Sequence, residues 1–302
     1  MYIKNYKILL SRDNRENFIF QKNKRFSIRN FDLANNRSNS SVFLLNDNEK
    51  EYPQRIIKFC NYSIETDHIR YKRFLREIQA LKIAKDSNCK YVIDIDEEFI
   101  GQKNIEGYNY KYYVMELGRS TLSGYLNNNE LDISEKLRIC VELIESIKEF
   151  RNLGLYHRDL KPENILFVKD TWKICDLGLI HGVAEDFAEN FDEEGEKIGP
   201  FGWFSPEAMN KFFCEGKNNL VEEFDYIIDF QSDVFQMGKI FWYIFQRNIP
   251  EGQIILDDFI LNKEIKGFFE IIFAMLQYQK TRRINLTQLE ASIQPIRKNL
   301  VA

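Results

Sequence analysis

His157-Arg158-Asp159-Leu160-Lys161-Pro162-Glu163-Asn164 is the stretch whose reading decides the fold. Twelve residues past Asn164 a second short stretch begins, Asp176-Leu177-Gly178. Between them, Ile165–Val168 and Trp172–Ile174 read as two short strands hinged at Lys169-Asp170-Thr171. A hairpin there sets Asn164 and Asp176 side by side at its open end. The chain thus gathers a carboxylate, an ammonium, an amide and a second carboxylate within one strand–loop–strand turn. Asp159 is a candidate for aiming a hydroxyl and taking its proton. Lys161, two positions on, points to the same side of an extended loop, where it would neutralise charge on a transferring group. Asn164 offers a neutral oxygen and Asp176 a charged one, and such oxygens suit Mg²⁺, which keeps water and phosphates beside one or two carboxylates. This is the set of groups that moves a phosphoryl group from a metal-bound nucleotide to a hydroxyl.

The stretch resembles the catalytic loop H-R-D-x-x-x-x-N of eukaryotic-type protein kinases, and Asp-Leu-Gly resembles their D-F-G. A lone H-x-D would be weak. Eight contiguous matches with a correctly placed metal motif are far beyond a chance polar loop. The resemblance implies an α+β, two-lobed protein-kinase fold. Its small lobe is mainly antiparallel sheet with one key helix, and its larger lobe is mainly α-helical. We expect an N-terminal extension over 1–25, the small lobe over 26–117 and the large lobe over 118–302.

Working outward, Arg55-Ile56-Ile57-Lys58-Phe59 reads as a strand and matches V-A-I-K. The resemblance gives Lys58 the α- and β-phosphates of ATP. Thr66–Lys85 has a helical period, with Phe74, Ile78 and Leu81 on one stripe. Glu77 borders that stripe and faces inward, and the family spacing pairs it with Lys58. Ile56 replaces the usual small alanine above the adenine ring, which narrows that pocket. Phe26–Leu33 and Val42–Leu45 read as strands joined by 34–41, where the family has its Gly-rich loop. Here that loop holds no glycine. Gly allows close backbone approach to phosphate, and Asn tolerates left-handed geometry better than most residues. Tyr91–Ile100 and Tyr110–Met115 read as further strands. Met115 falls at the gatekeeper position, and Glu116-Leu117-Gly118 resembles the hinge that holds the adenine edge. The resemblance adds Val42 and Leu166 to the nucleotide pocket, with Asn164 and Asp176 as the metal ligands.

Ser134–Asn152 is an amphipathic helix leading into the catalytic loop. By family role His157 is structural, stacking with Leu177 and Leu81 and fixing the Asp159 backbone. Cys175 is expected beside the nucleotide, without thiol chemistry of its own. Residues 179–197 read as an acidic loop. Gly199–Glu207 resembles the family's G-T-x-x-Y-x-A-P-E, with Pro200 for the usual Thr and Ser205 for the usual Ala. Glu207 is expected to pair with Arg283, and Asp233, in a stretch resembling S-D-V-W-S-x-G, to tie down the catalytic-loop backbone. Residues 210–228 read as an insertion. Helices are expected over 234–246, 265–277 and from about Leu286. From Asp176 through Phe204 there is no Ser, Thr or Tyr. Arg158, which in many kinases grips a phosphate on that segment, faces instead a run of acids: Glu185, Asp186, Glu189, Asp192, Glu193, Glu194 and Glu196. We expect one of them beside Arg158.

The 302 residues suit one large domain or two closely joined lobes, and 44% apolar content supports a real core. A net charge of −4 excludes a bulk nucleic-acid binder. The five cysteines form no Cys-x-x-Cys and read as free thiols. No apolar run is long enough to span a bilayer and the N-terminus lacks a signal-peptide core, so a soluble cytoplasmic protein is expected. The activity implied is ATP- and Mg²⁺-dependent transfer of a γ-phosphoryl group to a Ser/Thr hydroxyl of a protein substrate, Lys161 being the form typical of serine/threonine kinases. Two rivals are a pseudokinase binding module, motivated by the glycine-free loop and Ile56, and a small-molecule kinase of the aminoglycoside or choline type. Oligomeric state is not legible.

Overall fold

A computed structural model describes residues 1–31, 39–66, 68–183, 192, 196–215, 224–260 and 265–301. Residues Met1–Asn88 and Ile93–Ser120 form one compact unit, and Cys89–Val92 with Thr121–Ala302 form a second.

In the first unit β1 (Tyr2–Lys4) and β2 (Lys7–Leu9) make a hairpin, followed by β3 (Phe18–Gln21), β4 (Lys24–Arg29), β5 (Ser40–Asp47) and β6 (Arg55–Cys60). Helix α1 (Ile69–Asp86), β7 (Ile95–Ile105) and β8 (Tyr108–Met115) complete it. Six strands form one antiparallel sheet in the order β3-β4-β5-β6-β8-β7. The N-terminal 25 residues, expected as an extension, supply the hairpin and the edge strand β3 of that sheet. Ile8 is buried in the sheet's core beside Phe26, Phe43, Phe59, Phe99 and Tyr112. Rings carry this core because each removes a large apolar area from water and meets its neighbours edge to face. Phe26 and Phe99 do so at 5.0 Å and 86°. β7 begins at Ile95, four residues after the expected start. Val92 instead bridges Ile174 in the second unit's own backbone, and Tyr91 O accepts from Ile174 N. β7 also carries a bulge between Asp96 and Gly101. Gly101 is required there, since a Cβ would lie 2.5 Å from the Tyr112 hydroxyl.

α1 starts three residues later than its periodicity indicates, because the His68 ring caps it by accepting from Arg70 N. Its buried face carries Phe74, Glu77, Ile78, Leu81 and Ala84, as the spacing requires.

The chain passes from the first unit to the second inside β9 (Ser120–Thr121). Then follow α2 (Leu122–Asn128), α3 (Ile133–Asn152), β10 (Leu155–Tyr156), β11 (Ile165–Val168), β12 (Thr171–Ile174) and β13 (His181–Gly182). The remainder is helical: α4 (Pro206–Cys214), α5 (Phe230–Gln246), α6 (Lys266–Met275) and α7 (Leu286–Val301). α5 is the central element, buried from Ser232 through Gly238 and again at Ile240, Phe241, Trp242, Ile244 and Phe245. Its start is fixed by a capping box, Asp229 accepting from the chain ahead while Ser232 reaches back. Where α5 meets α6, a Cβ on Gly238 would sit 2.9 Å from Met275 Cβ, so glycine permits the close crossing. The β11–β12 hairpin turns through Lys169 and Asp170 alone, both at positive φ, which is the two-residue type I′ geometry. Thr171 belongs to β12 and pairs with Val168.

Candidate active site

The strand β6 is buried at all six positions, so Lys58 is an ammonium held in an apolar layer. A buried charge is tolerated only when paired and hydrogen-bonded. Lys58 Nζ lies 2.7 Å from Glu77 Oε1, with Lys58 5% and Glu77 1% exposed. The phenol of Tyr113 donates to the same oxygen at 2.9 Å. Tyr113 stands opposite Lys58 in the β6–β8 register and its ring lies 5.9 Å from the ammonium. Sequence reading missed Tyr113, because the strand register that sets it against Lys58 is not visible in either strand alone. Val42 pairs with Lys58 and Ile56 with Met115. Ile56 and Met115 are buried, while Val42, Glu116 and Leu117 are half-buried. Glu116 is anchored twice to Asp94, its backbone N–H donating to Asp94 O and its Oε1 accepting from Asp94 N at 2.9 Å. Of the glycine-free loop, 34–38 lie outside the described residues. Ser40 opens β5, and Ser41 Oγ donates to Asn61 Oδ1 at 2.7 Å.

In the second unit Asp159, Lys161 and Asn164 converge. Asp159 Oδ2 receives Lys161 Nζ at 3.0 Å and Asn164 Nδ2 at 2.9 Å. Burial pushes the Asp159 carboxyl up to about 6, with Asp176 acting in the same sense and Lys161 and Asn164 against it. For Lys161, burial works to lower the ammonium's pKa, but the charge and hydrogen bond of Asp159 together with the charges of Asp176 and Glu163 outweigh it and the net shift is upward. Asn164 also donates to Asp159 O, and Asn164 O accepts from Cys175 N, both at 2.9 Å. The hairpin's open end therefore does join Asn164 to the segment holding Asp176. Asp176 and Arg158 both adopt left-handed backbone, φ 60° and 68°. For non-glycine residues that costs about 1–3 kcal/mol each and persists only where the surroundings over-determine it. With its Nδ2 committed to Asp159, the Asn164 amide has Oδ1 as its acceptor. With the Asp176 carboxylate it supplies the hard oxygen donors that suit a divalent cation. Leu166 is half-buried on β11 and Cys175 is buried.

His157 is fully buried. Its Nδ1 accepts from Asp159 N at 3.2 Å and its Nε2 meets Cys175 O at 3.2 Å, which fixes the proton on Nε2. Burial pushes its pKa down to about 4. It is a neutral spacer that holds the Asp159 N–H, the backbone tie expected of it, and its ring packs edge to face on Phe150. Asp233 accepts from His157 N at 2.6 Å and Arg158 N at 2.8 Å, which is the tie expected of it. Gln236, one turn further along α5, also bonds this loop. Sequence reading passed over it, since a glutamine inside an apolar helix carries no motif signal.

Arg158 makes a bidentate pair with Asp192, Nη1–Oδ2 at 2.5 Å and Nη2–Oδ1 at 3.1 Å. Both side chains are almost wholly buried, at 4% and 5% exposure. One acid of the predicted run thus stands beside Arg158. Glu185, Asp186, Glu189, Glu193 and Glu194 lie outside the described residues, as do 216–223 of the expected insertion. Glu207 and Arg283 are paired at 2.8 Å. The rest of the guanidinium is spent on the carbonyls of Gln231, Gln277 and Tyr278.

The protein kinase domain family matches residues 38–293 of this chain. A probable serine/threonine-protein kinase PknB from Lactococcus lactis is 28% identical over 64% of this chain and 27% of its own length. A probable serine/threonine-protein kinase, ECU02_0550, from Encephalitozoon cuniculi is 26% identical over 70% of this chain and 34% of its own. The dual specificity protein kinase TTK of Mus musculus is 23% identical over 81% of this chain and 27% of its own. The chain spans about a third or less of the length of these relatives.

Proposed function

The chain belongs to the protein kinase family, and from that premise we propose that it transfers the γ-phosphoryl group of ATP to serine or threonine hydroxyls of a protein substrate, with Mg²⁺ as the metal. The observation that carries the reading is the Asp159–Lys161–Asn164 cluster, with its carboxyl held near pH 6 by burial. A general base works best when its pKa lies near the operating pH. Asp159 orients the acceptor hydroxyl and receives its proton. Lys161, bonded to Asp159, offsets negative charge on the transferring group. Asn164 and Asp176 hold the divalent ion, which when bound neutralises charge on the phosphates. In the first unit Lys58, aimed by Glu77 and Tyr113, binds the α- and β-phosphates, and Val42, Ile56, Met115, Glu116 and Leu117 meet the base; the family resemblance assigns a base contact to Leu166 as well. Relatives named serine/threonine kinases support the acceptor class. Among the described residues no helix is long and apolar enough to cross a membrane.

Two assays test this together. Nucleotide binding is measured with and without Mg²⁺, and labelled ATP is offered with a generic protein substrate. The expected result is Mg²⁺-dependent ATP binding and label recovered as phosphoserine or phosphothreonine. Nucleotide binding with no transfer would make the chain a pseudokinase, and label on a small-molecule alcohol alone would move it to another kinase class.

A further inference from the structure

Asp159 is attached to the chain through two peptide groups, and the orientation of its carboxylate is set by how firmly those two planes are held. Each plane offers one carbonyl and one N–H, and a buried backbone group needs a partner. The peptide before Asp159 donates its N–H to His157 Nδ1. The peptide after it accepts from Asn164 Nδ2. The two groups left are Arg158 O and Leu160 N. Both are taken by the one side chain of Gln236, whose Nε2 donates to Arg158 O at 3.2 Å and whose Oε1 accepts from Leu160 N at 3.1 Å. Gln236 is 2% exposed. It lies three residues after Asp233 on α5, so the two project from the same face of the helix. Asp233 holds the N–H groups of His157 and Arg158, and Gln236 holds the next carbonyl and N–H of the loop.

We propose that Gln236 is a positioning residue for phosphoryl transfer: its amide clamps the two peptides on either side of Asp159 and so sets the direction of that carboxylate. A shorter or apolar side chain there would leave both backbone groups without this partner in a buried site, at the point where Arg158 adopts φ 68°. Gly199 fits the same arrangement. A Cβ at that position would fall 3.0 Å from Arg158 O and 3.4 Å from Gln236 Nε2. The segment that crosses the clamp is therefore glycine, with φ 102°. The inference rests on the reading of Asp159 as the group that orients the acceptor.

Gln236→Met keeps length and volume and removes donor and acceptor together. Gln236→Glu keeps the length and an acceptor for Leu160 N but loses the amide donor to Arg158 O. Both are measured for kcat, for KM of ATP, and for nucleotide-binding stoichiometry, so that turnover is counted per folded molecule. The expected result is a fall in kcat of about 10- to 100-fold, the size associated with ångström-scale misplacement of a catalytic group. KM for ATP stays within about threefold, because positioning of the acceptor does not touch nucleotide affinity. Hydrogen exchange at Leu160 N–H quickens in Gln236→Met while Arg158 N–H, bonded to Asp233, keeps its protection. Wild-type kcat per folded molecule in both variants would overturn the inference. Failure of both to fold would also overturn it, assigning Gln236 to stability. Asp159→Asn serves as the companion. If it is inactive while the Gln236 variants turn over normally, the inference alone falls; if it retains wild-type turnover, the reading of Asp159 falls and the inference with it.

Discussion

Burial that disfavours the Asp159 carboxylate also brings its pKa toward the operating pH. Its carboxyl titrates at about 6 in the folded chain, against about 4 for an unperturbed aspartate. Between those values the folded chain holds the extra proton, so at this residue stability rises as pH falls from about 6 toward 4. Catalysis needs the carboxylate and moves the other way. We expect kcat/KM to fall about tenfold per pH unit below about pH 6, checked by initial rates at saturating Mg²⁺. A flat profile to pH 5 would remove Asp159 as the titrating group. His157 has the opposite sign: its pKa is lowered to about 4, so its share of stability is lost as pH falls through about 6.5 toward 4. At the same scale, Tyr113→Phe removes only a hydroxyl from the Lys58–Glu77 pair. A hydrogen bond to a charged group contributes about 1.5–3 kcal/mol to stability, so Tm should fall by several degrees, and kcat/KM for ATP should fall by roughly 10-fold as Lys58 loses part of its aim. Unchanged kcat/KM would show that Glu77 holds Lys58 without it.

Among the elements, we expect the segment from Asp176 to Phe204 to need no phosphorylation. It carries no hydroxyl to phosphorylate, and its Asp192 already makes a bidentate, buried pair with Arg158. A carboxylate has less charge and fewer acceptor oxygens than a phosphate, but it is permanent. The chain, expressed with a phosphatase, should therefore show linear progress curves from the first time point. A lag abolished by preincubation with ATP would contradict this. Asp192→Ala leaves Arg158 buried without that partner, and breaking such a pair costs about 3–5 kcal/mol. We expect at least a tenfold loss of rate in that variant.

How much of this was legible in the sequence follows from which interactions are local. The His157–Asn164 loop, the β11–β12 hairpin and the Lys58 strand carry their chemistry in contiguous residues, and the structure places them where the spacing indicates. The Glu207–Arg283 and Asp233 ties were readable because they sit inside motifs. Tyr113 and Gln236 were not, because each acts on a residue far away in the chain through a strand register or a helix face that only folding creates. Asp192 fell between: its chemistry was evident from the acidic run, but which of seven acids reaches Arg158 depends on the path of the loop. β7 starts later than its side chains suggest because Tyr91 and Val92, though strand-forming, spend their pairing on Ile174.

Across the whole molecule, stability of the second unit converges on Arg283, whose guanidinium joins Glu207 at the start of α4 to the carbonyls of Gln231, Gln277 and Tyr278. Neither Glu207 nor Arg283 is more than 3% exposed. Arg283→Ala should destabilise the fold by about 3–5 kcal/mol, the cost of leaving a buried carboxylate unpaired, read as a large fall in Tm and in denaturation midpoint. A shift within experimental error would show that the pair is dispensable. The most direct test of the account as a whole is single-turnover phosphoryl transfer by Asp159→Asn beside the wild type, with nucleotide affinity measured on the same samples. The expected result is a loss of about 10²–10⁴-fold in the transfer rate, the range a positioned base supplies, with ATP–Mg²⁺ affinity within about threefold of wild type. Transfer at more than a small fraction of the wild-type rate, or loss of nucleotide binding in parallel with transfer, would contradict it.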